Sequence, residues 1–77
     1  MLVSACVLIR TSHGKFEEVV ERIRQVKDVK RVFPVLGRYD VVADIECDDM
    51  QDLGEAVIRI SRLAGVVFTE TLVEVQR

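Results

Sequence analysis

The order of hydrophobic and polar residues alternates between strand-like and helix-like periods along the chain. Residues 2–10 form a nearly unbroken apolar run, rich in valine and isoleucine and too short for a helix to be preferred, which predicts a first strand that is apolar on both faces. Residues 29–36 are a β-branched and aromatic run, and residues 41–47 and 66–76 alternate in polarity. Each of these three runs predicts a further strand.

Two stretches between the strands have the period of an amphipathic helix. The stripe of the first consists of Phe16, Val19, Val20, Ile23 and Val26. The stripe of the second consists of Met50, Leu53, Val57, Ile60 and Ala64. Asp48 or Asp49 can cap the second helix, and Gly65 is placed to end it as a left-handed residue. Gly54 lies inside this helix, where glycine is unfavourable, and indicates a close backbone approach.

The order strand, helix, strand, strand, helix, strand predicts an α+β fold of the ferredoxin-like type. In this βαββαβ sandwich, one four-stranded antiparallel sheet carries both helices on one face. We expect a single domain over residues 1–77, because so short a chain has room for no more. Pro34 places the second strand at an edge or at a bulge. The uncovered sheet face is expected to be apolar, so we expect the chain to dimerise through it with two-fold symmetry.

The connection between the second and third strands carries the most informative residues. We call residues 36–40 the corner. Gly37 supplies the positive φ that a tight reversal needs, and Asp40 can hydrogen-bond nearby backbone. Tyr39 has no comparable structural explanation. Its flat amphipathic ring, beside exposed amides and a carboxylate, is suited to holding a small molecule.

Composition narrows the classes of function. The chain has 13 acidic and 11 basic residues and a formal charge of −2, so it offers no excess of positive charge to a phosphate backbone. Direct binding to nucleic acid is therefore not expected. No apolar run approaches the roughly 18 residues of a membrane span, and the apolar start lacks a basic segment and a cleavage site. We expect a cytoplasmic protein without membrane contact.

No pattern of side chains indicates catalysis, a metal ion or a cofactor. The one histidine, His13, stands alone in a polar loop, and Cys6 and Cys47 are isolated in strand-like runs, which predicts free thiols. The aspartates at 48, 49 and 52 lack the spacing of a calcium loop and are better explained as a helix cap. Because no nucleophile has a base at a recognisable spacing, we do not expect an enzyme.

The chain resembles the effector-binding domain of the Lrp/AsnC regulators, the RAM domain, over nearly its whole length. The resemblance rests on the valine-led strand after the first helix, on the Gly-x-Tyr-Asp corner and on the ending Gly-Val-x-x-Thr-x-Thr at residues 65–71. It implies a regulatory module that binds an amino acid or a similar small effector. It also implies assembly into a homodimer and into a higher oligomer such as an octamer.

The resemblance further implies an effector site between dimers, formed by the corner and the final strand. The residues that match this site are Leu36, Gly37, Arg38, Tyr39, Asp40, Thr69 and Thr71. Amides at a glycine corner can take a carboxylate, while Asp40 and threonine hydroxyls can take an α-ammonium group. For the two threonines, a plain role in the strand stays open.

Family members usually carry an N-terminal helix-turn-helix domain, whereas here the first strand begins at Leu2. We expect a stand-alone form with an indirect role in transcription or metabolism, acting through mixed assembly with full-length Lrp/AsnC relatives. Two alternatives stay open. An ACT-like amino-acid-sensing domain shares the topology but joins its sheets side by side. A small dimeric α+β-barrel enzyme would need His, Tyr, Asn or Trp on the bare sheet face, and the chain has one loop histidine and neither tryptophan nor asparagine.

Overall fold

The structure is a computed structural model and describes residues 2–76. Its elements are β1 (Val3–Thr11), α1 (Phe16–Ile23), β2 (Val29–Pro34), β3 (Val41–Cys47), α2 (Met50–Ser61) and β4 (Val66–Val73). Every strand pair is antiparallel, and the strands lie in the order β2-β3-β1-β4. The predicted βαββαβ arrangement, with a four-stranded antiparallel sheet and two helices, is confirmed.

One face of the sheet packs against both helices and forms the core. Side chains alternate between the two faces of a strand, so every second residue of β1 and β3 enters this core. The sheet contributes Ala5, Val7, Ile9, Val32, Val41, Ala43, Ile45 and Cys47. The helices contribute Val19, Val20, Ile23, Leu53, Ala56 and Ile60. Burial of each valine, leucine or isoleucine side chain stabilises the fold by about 1.5–3 kcal/mol.

The opposite face of the sheet, which we call the open face, has no cover among residues 2–76. Register places on it every residue that alternates with the core positions. These residues are Ser4, Cys6, Leu8, Arg10, Arg31, Phe33, Val42, Asp44, Glu46, Phe68, Glu70 and Leu72. Phe68 and Leu72 are 50% and 51% exposed. The apolar residues expected on both faces of the first strand are therefore present, with one face covered and the other bare.

The position of Pro34 and the ends of the two edge strands can be compared with the predictions from sequence. Pro34 is the last residue of β2, which is an edge strand, and the register shifts between Val29 and Arg31. The predicted edge or bulge is confirmed. The strand ends two residues earlier than predicted, and Leu36 is fully exposed beyond it. The last strand also ends early, at Val73.

The predicted stripe of the second helix is only partly correct. Leu53 and Ile60 are buried and Val57 is half-buried, but Met50 is 58% exposed at the first helical position. Ala64 is exposed because the helix ends at Ser61, so the helical period no longer points it at the core. The first helix ends at Ile23, so Val26 of its predicted stripe lies beyond the helix.

The two glycines of the second half differ in role. Gly54 is exposed, and a Cβ atom there would meet no heavy atom within 4 Å, so the expected close approach is wrong within the described chain. Gly65 has a φ of +96°, and a Cβ atom there would lie 2.9 Å from Val19 Cγ2. Both its backbone conformation and its packing therefore require glycine. Its carbonyl accepts a hydrogen bond from the Ser12 amide at 2.8 Å.

Candidate functional site

The corner lies where β2 passes into β3, beside the end of β1. Gly37 has a φ of +146°, as its predicted role in the reversal requires. The Val35 amide donates to the carbonyl of Asp40 at 2.9 Å, and the Asp40 amide donates to the carbonyl of Ile9 at 2.8 Å. The corner is thus closed on itself and fastened to β1.

The carboxylate of Asp40 joins the corner to the end of β1. Its Oδ2 accepts hydrogen bonds from the Thr11 amide at 2.8 Å and from the Thr11 hydroxyl at 3.3 Å. β1 pairs with β3 only as far as Ile9 and Val41, so the Thr11 amide lies beyond the start of β3 and has no backbone partner in that ladder. The Asp40 side chain supplies the partner. Its second oxygen, Oδ1, accepts no hydrogen bond from the described residues, which leaves it available to a ligand.

Tyr39 reaches across the sheet end to β4. Its hydroxyl donates a hydrogen bond to the Glu70 carboxylate. This hydrogen bond is the main reason that the pKa of Tyr39 is raised. Desolvation and the negative charge of Glu70 raise it further. The nearby cations Arg10 and Arg38 oppose them. We predicted that the ring of Tyr39 is suited to holding a small molecule, but its hydroxyl is already bonded to Glu70. Sequence reasoning did not single out Glu70.

Arg10 packs between the two aromatic rings at this end of the open face. Its guanidinium carbon lies 5.8 Å from the centroid of the Tyr39 ring and 5.9 Å from that of Phe68. Its Nε donates to the carbonyl of Arg38 at 3.3 Å. Exposed cation–π contacts contribute about 0.5–1 kcal/mol each. We call Arg10, Tyr39, Phe68 and Glu70 the clasp, because together they connect the corner to β4.

Thr69 and Thr71 lie on the other side of β4 from the clasp. They pair with Ile9 and Val7, whose side chains face the helices, so the threonines share the helix side of the sheet and are half-buried. The residue of β4 that meets the corner is Glu70, which stands between them. Within one chain the structure does not bring the threonines to the corner, and their place in an effector site stays a prediction.

Two adjoining depressions flank the corner. The polar depression has a volume of about 550 Å³, and Arg10, Arg38 and His13 line it. The apolar depression has a volume of about 380 Å³. Pro34, Val35 and Leu36 line it. Phe16 and Asp40 line both, so the two depressions meet at these residues.

Charge in the polar depression is arranged in two parts. Arginine stays protonated at neutral pH, so Arg10 and Arg38 supply two permanent positive charges. Asp40 supplies a carboxylate with one free oxygen. The amides of Gly37, Arg38 and Tyr39 donate no hydrogen bond to another residue of the described chain. The corner therefore offers several donors to an anion and one acceptor to a cation.

Comparison with known families identifies the chain. The family model described as the Lrp/AsnC ligand binding domain matches residues 4–77. The chain belongs to this family. The predicted resemblance to the effector-binding domain of the Lrp/AsnC regulators is confirmed.

Relatives and solved structures of the Lrp/AsnC family agree with the assignment. The chain is 26% identical over 69 residues to the HTH-type transcriptional regulator FL11 of Pyrococcus furiosus, a match that covers 90% of this chain and 46% of FL11. The chain thus spans about half the length of the curated relatives it matches. The crystal structure of TTHA0845 from Thermus thermophilus superposes with a TM-score of 0.91 at 34% identity, covering 97% of this chain and 95% of that one.

The fold of this Lrp/AsnC domain also matches that of a longer regulator. The structure of E. coli AsnC has a TM-score of 0.88 at 19% identity, and the match covers 97% of this chain and 52% of AsnC. At this identity the likeness establishes the fold.

The pKa shifts of Cys6, Cys47 and Asp52 have structural causes away from the corner. Cys6 and Cys47 are free thiols, as predicted, and burial raises the pKa of both. A raised pKa disfavours the reactive thiolate. Asp49 caps α2 by accepting a hydrogen bond from the Asp52 amide at 2.9 Å, and its negative charge raises the pKa of the Asp52 carboxyl. Residues 2–76 contain no cluster of three or more His, Cys, Asp or Glu side chains fit to hold a metal ion.

None of the helices in the described chain is both long enough and apolar enough to cross a membrane.

Proposed function

We propose that this Lrp/AsnC domain is a non-enzymatic regulatory module that binds an amino acid at the corner. The observation that carries the proposal is the arrangement of Arg10 and Arg38 around the same depression as the half-used carboxylate of Asp40. Guanidinium groups bind carboxylates with charge-assisted hydrogen bonds, and a carboxylate oxygen accepts from an ammonium group. The arrangement is complementary to the two charged groups of an α-amino acid.

The corner backbone supports the same ligand. The amides of Gly37, Arg38 and Tyr39 have no partner within the described chain, and successive free amides at a turn favour an anion. Leu36 adds an exposed apolar side chain beside them. Thr69 and Thr71 enter the proposal as groups contributed across a contact between subunits, since they lie on the other side of β4 within their own chain.

Assembly through the open face is the second part of the proposal. Phe68 and Leu72 are half-exposed there, and monomeric proteins seldom leave a large contiguous apolar patch bare. Some of the charges on this face are already paired, because a guanidinium nitrogen of Arg31 lies 3.8 Å from a carboxylate oxygen of Asp44. The guanidinium carbon of Arg31 also lies 4.7 Å from the centroid of the Phe33 ring. Paired charges are less costly to bury than single ones. We propose a homodimer, with effectors bound between dimers in a higher oligomer such as an octamer.

An effect on transcription would be indirect in this proposal. With a formal charge of −2 the domain has little attraction for DNA, so it would act by mixed assembly with a DNA-binding member of the family. Mixing the chain with such a relative and measuring the native mass tests this, with a new mixed species expected. Sequence-specific DNA binding by the chain alone would contradict it.

Thermal unfolding with a panel of amino acids tests ligand binding. A ligand at one hundred times its dissociation constant stabilises the folded state by about 2.7 kcal/mol, which raises Tm by several degrees in a small domain. We expect a selective shift that Arg38→Gln abolishes. The Arg38 side chain is exposed, and within residues 2–76 only its carbonyl makes a hydrogen bond, so the ligand-free Tm of the variant should match that of the parent. A panel without any shift would contradict the proposal.

A further inference from the structure

A groove between the two helices contains charged side chains of both signs. It has a volume of about 590 Å³ and shares no lining residue with the two depressions at the corner. Val26, Ala56 and Leu63 give it apolar surface, and acidic and basic side chains stand around them. A cavity of this size, with apolar surface and a few charged groups, suits a small molecule.

The acidic end of the groove lies where α2 begins. Asp28, Asp52 and Glu55 place carboxylates there, and Lys27 is the cation beside them. None of these carboxylates forms an ion pair within residues 2–76. The negative charge of Asp49 is the main reason that the pKa of the Asp52 carboxyl is raised, and desolvation, Asp28 and Glu55 raise it further against Lys27. A bound cation would relieve this repulsion between carboxylates.

The basic end of the groove lies where α2 ends. Arg59 is in the last turn of α2, and Nη1 of Arg22 donates a hydrogen bond to the carbonyl of Ala64 at 3.0 Å, which holds Arg22 at the same end. A second nitrogen of Arg22 lies 4.0 Å from the Glu18 carboxylate, an exposed and weak pair. Arg59 has no ion-pair partner in the described part of the chain. The two guanidinium groups therefore give this end a positive charge, opposite to the other end.

We infer that the groove binds a short peptide of about three residues by its free termini. The α-ammonium group meets the carboxylates at the start of α2, and the α-carboxylate meets Arg22 and Arg59. Asp52 and Arg59 are seven positions apart on one helix, which is about 10 Å at a rise of 1.5 Å per residue. Three residues of extended chain also span about 10 Å, at 3.3–3.6 Å per residue.

Charge and length together select this occupant. A free amino acid carries both charged groups on one carbon atom, so it cannot reach the two ends at once. A diamine finds carboxylates at one end and guanidinium groups at the other, and a fatty acid leaves the acidic end without a partner. A tripeptide satisfies both ends and places its central side chain against the apolar surface of Val26, Ala56 and Leu63.

Nuclear magnetic resonance titration of the isotope-labelled chain tests the inference. The probe is the tripeptide Ala-Leu-Ala with free termini, compared with its N-acetylated form, its C-amidated form and free L-leucine. We expect the tripeptide to shift amide signals of residues 22–28 and 52–63. Either blocked form should bind at least about threefold more weakly, because it loses one charged contact in a partly exposed groove. Leucine should leave the signals of the groove in place.

Arg59→Gln assigns the peptide carboxylate to the basic end. Arg59 is exposed, so the variant should fold, and we expect it to bind the free tripeptide at least about threefold more weakly. Its affinity for the C-amidated form should equal that of the parent, because this form has no carboxylate to lose. Arg62→Gln is the matched control, since Arg62 is an exposed arginine just beyond α2 that does not line the groove. It should keep the parent affinity.

The possible results separate this inference from the proposed function of the corner. No shift in the groove at millimolar tripeptide, or equal binding of the free and blocked forms, would overturn the inference. Equal losses in Arg59→Gln and Arg62→Gln would overturn it as well. Shifts confined to residues 36–40 would place the peptide at the corner, which overturns the inference and leaves the proposed function standing. Arg38→Gln should leave tripeptide binding in the groove unchanged.

Discussion

The hydroxyl of Tyr39 donates a hydrogen bond to the carboxylate of Glu70, and this bond ties the tip of the corner to the middle of β4. The two residues lie 31 positions apart in the chain. Because Glu70 is also part of the open face, this bond connects the corner, where we propose that the ligand binds, to the surface through which we propose that the subunits meet.

Titration of Tyr39 tests this bond. Its folded pKa lies above the ordinary value of 10.0, so its contribution to stability is complete below that value and is lost as the pH rises through the folded pKa. Tyr39 is the only tyrosine and the chain has no tryptophan, so ultraviolet absorbance reports this group alone. We expect a midpoint above that of a model peptide, and a lower midpoint in Glu70→Gln. Identical midpoints in both proteins would contradict the bond.

Arg10 should stabilise the folded chain through its packing between two rings. Replacing it by alanine removes two exposed cation–π contacts, and we expect the free energy of unfolding to fall by about 1–2 kcal/mol. Chemical denaturation measures this change. The control is Arg24→Ala, since Arg24 makes an exposed ion pair with Glu21 and its loss should change stability by about 0–1 kcal/mol. Equal losses in both variants would show that the rings contribute nothing.

One oxygen of Asp40 accepts hydrogen bonds from Thr11, and we propose that the other binds the ligand; two substitutions distinguish these roles. Asp40→Asn keeps an acceptor for the Thr11 amide but removes the charge, so we expect nearly unchanged stability and weakened binding of amino acids. Asp40→Ala leaves the Thr11 amide without its partner, which costs about 1–3 kcal/mol. Denaturation and ligand titration of both variants measure these effects. Unweakened ligand binding by Asp40→Asn would show that the carboxylate is purely architectural.

The residues of the corner were predictable because their signals are local. Gly37, Tyr39 and Asp40 lie within a few positions of one another, and the positive φ of Gly37 follows from the need for a reversal. Arg10 and Glu70 were missed because their importance depends on the register of β1 with β4, which pairs Arg10 with Phe68 and Leu8 with Glu70. The register shifts just beyond these pairs, where Val67 is the extra residue of β4, and such a shift leaves no strong mark in the sequence.

Periodicity was similarly reliable for whole elements and weaker at their ends. Strand β3 begins and ends where the alternation predicts, at Val41–Cys47. The second helix has a buried stripe as expected, but Met50 and Ala64 continue its apolar period into positions that do not face the core. The pattern shows only that a residue is hydrophobic. The residue is buried only if another element packs against the helix at that position.

Gly54 and Gly65 should respond in opposite directions to alanine. Gly54 is exposed in open space, so alanine should raise the free energy of unfolding by about 0.5–1 kcal/mol through its helix propensity. At Gly65, the positive φ and the contact with Val19 should make alanine destabilising by about 1–3 kcal/mol. Thermal and chemical unfolding measure both. A destabilising Gly54→Ala would indicate that another subunit packs against the outer side of α2.

Leu72 tests assembly through the open face. It is 51% exposed on the edge strand β4 and pairs with Cys6 on the open face, so an aspartate there would place a charge without a partner inside a face-to-face dimer. Because the side chain is half-exposed in the single chain, Leu72→Asp should fold and should have the mass of a monomer in light scattering. Met50→Asp, on the outside of α2, should keep the parent mass. An unchanged mass for Leu72→Asp would exclude the open face as the dimer interface. If the mass falls, repeating the ligand titration on this variant shows whether the corner needs a second subunit to bind its effector.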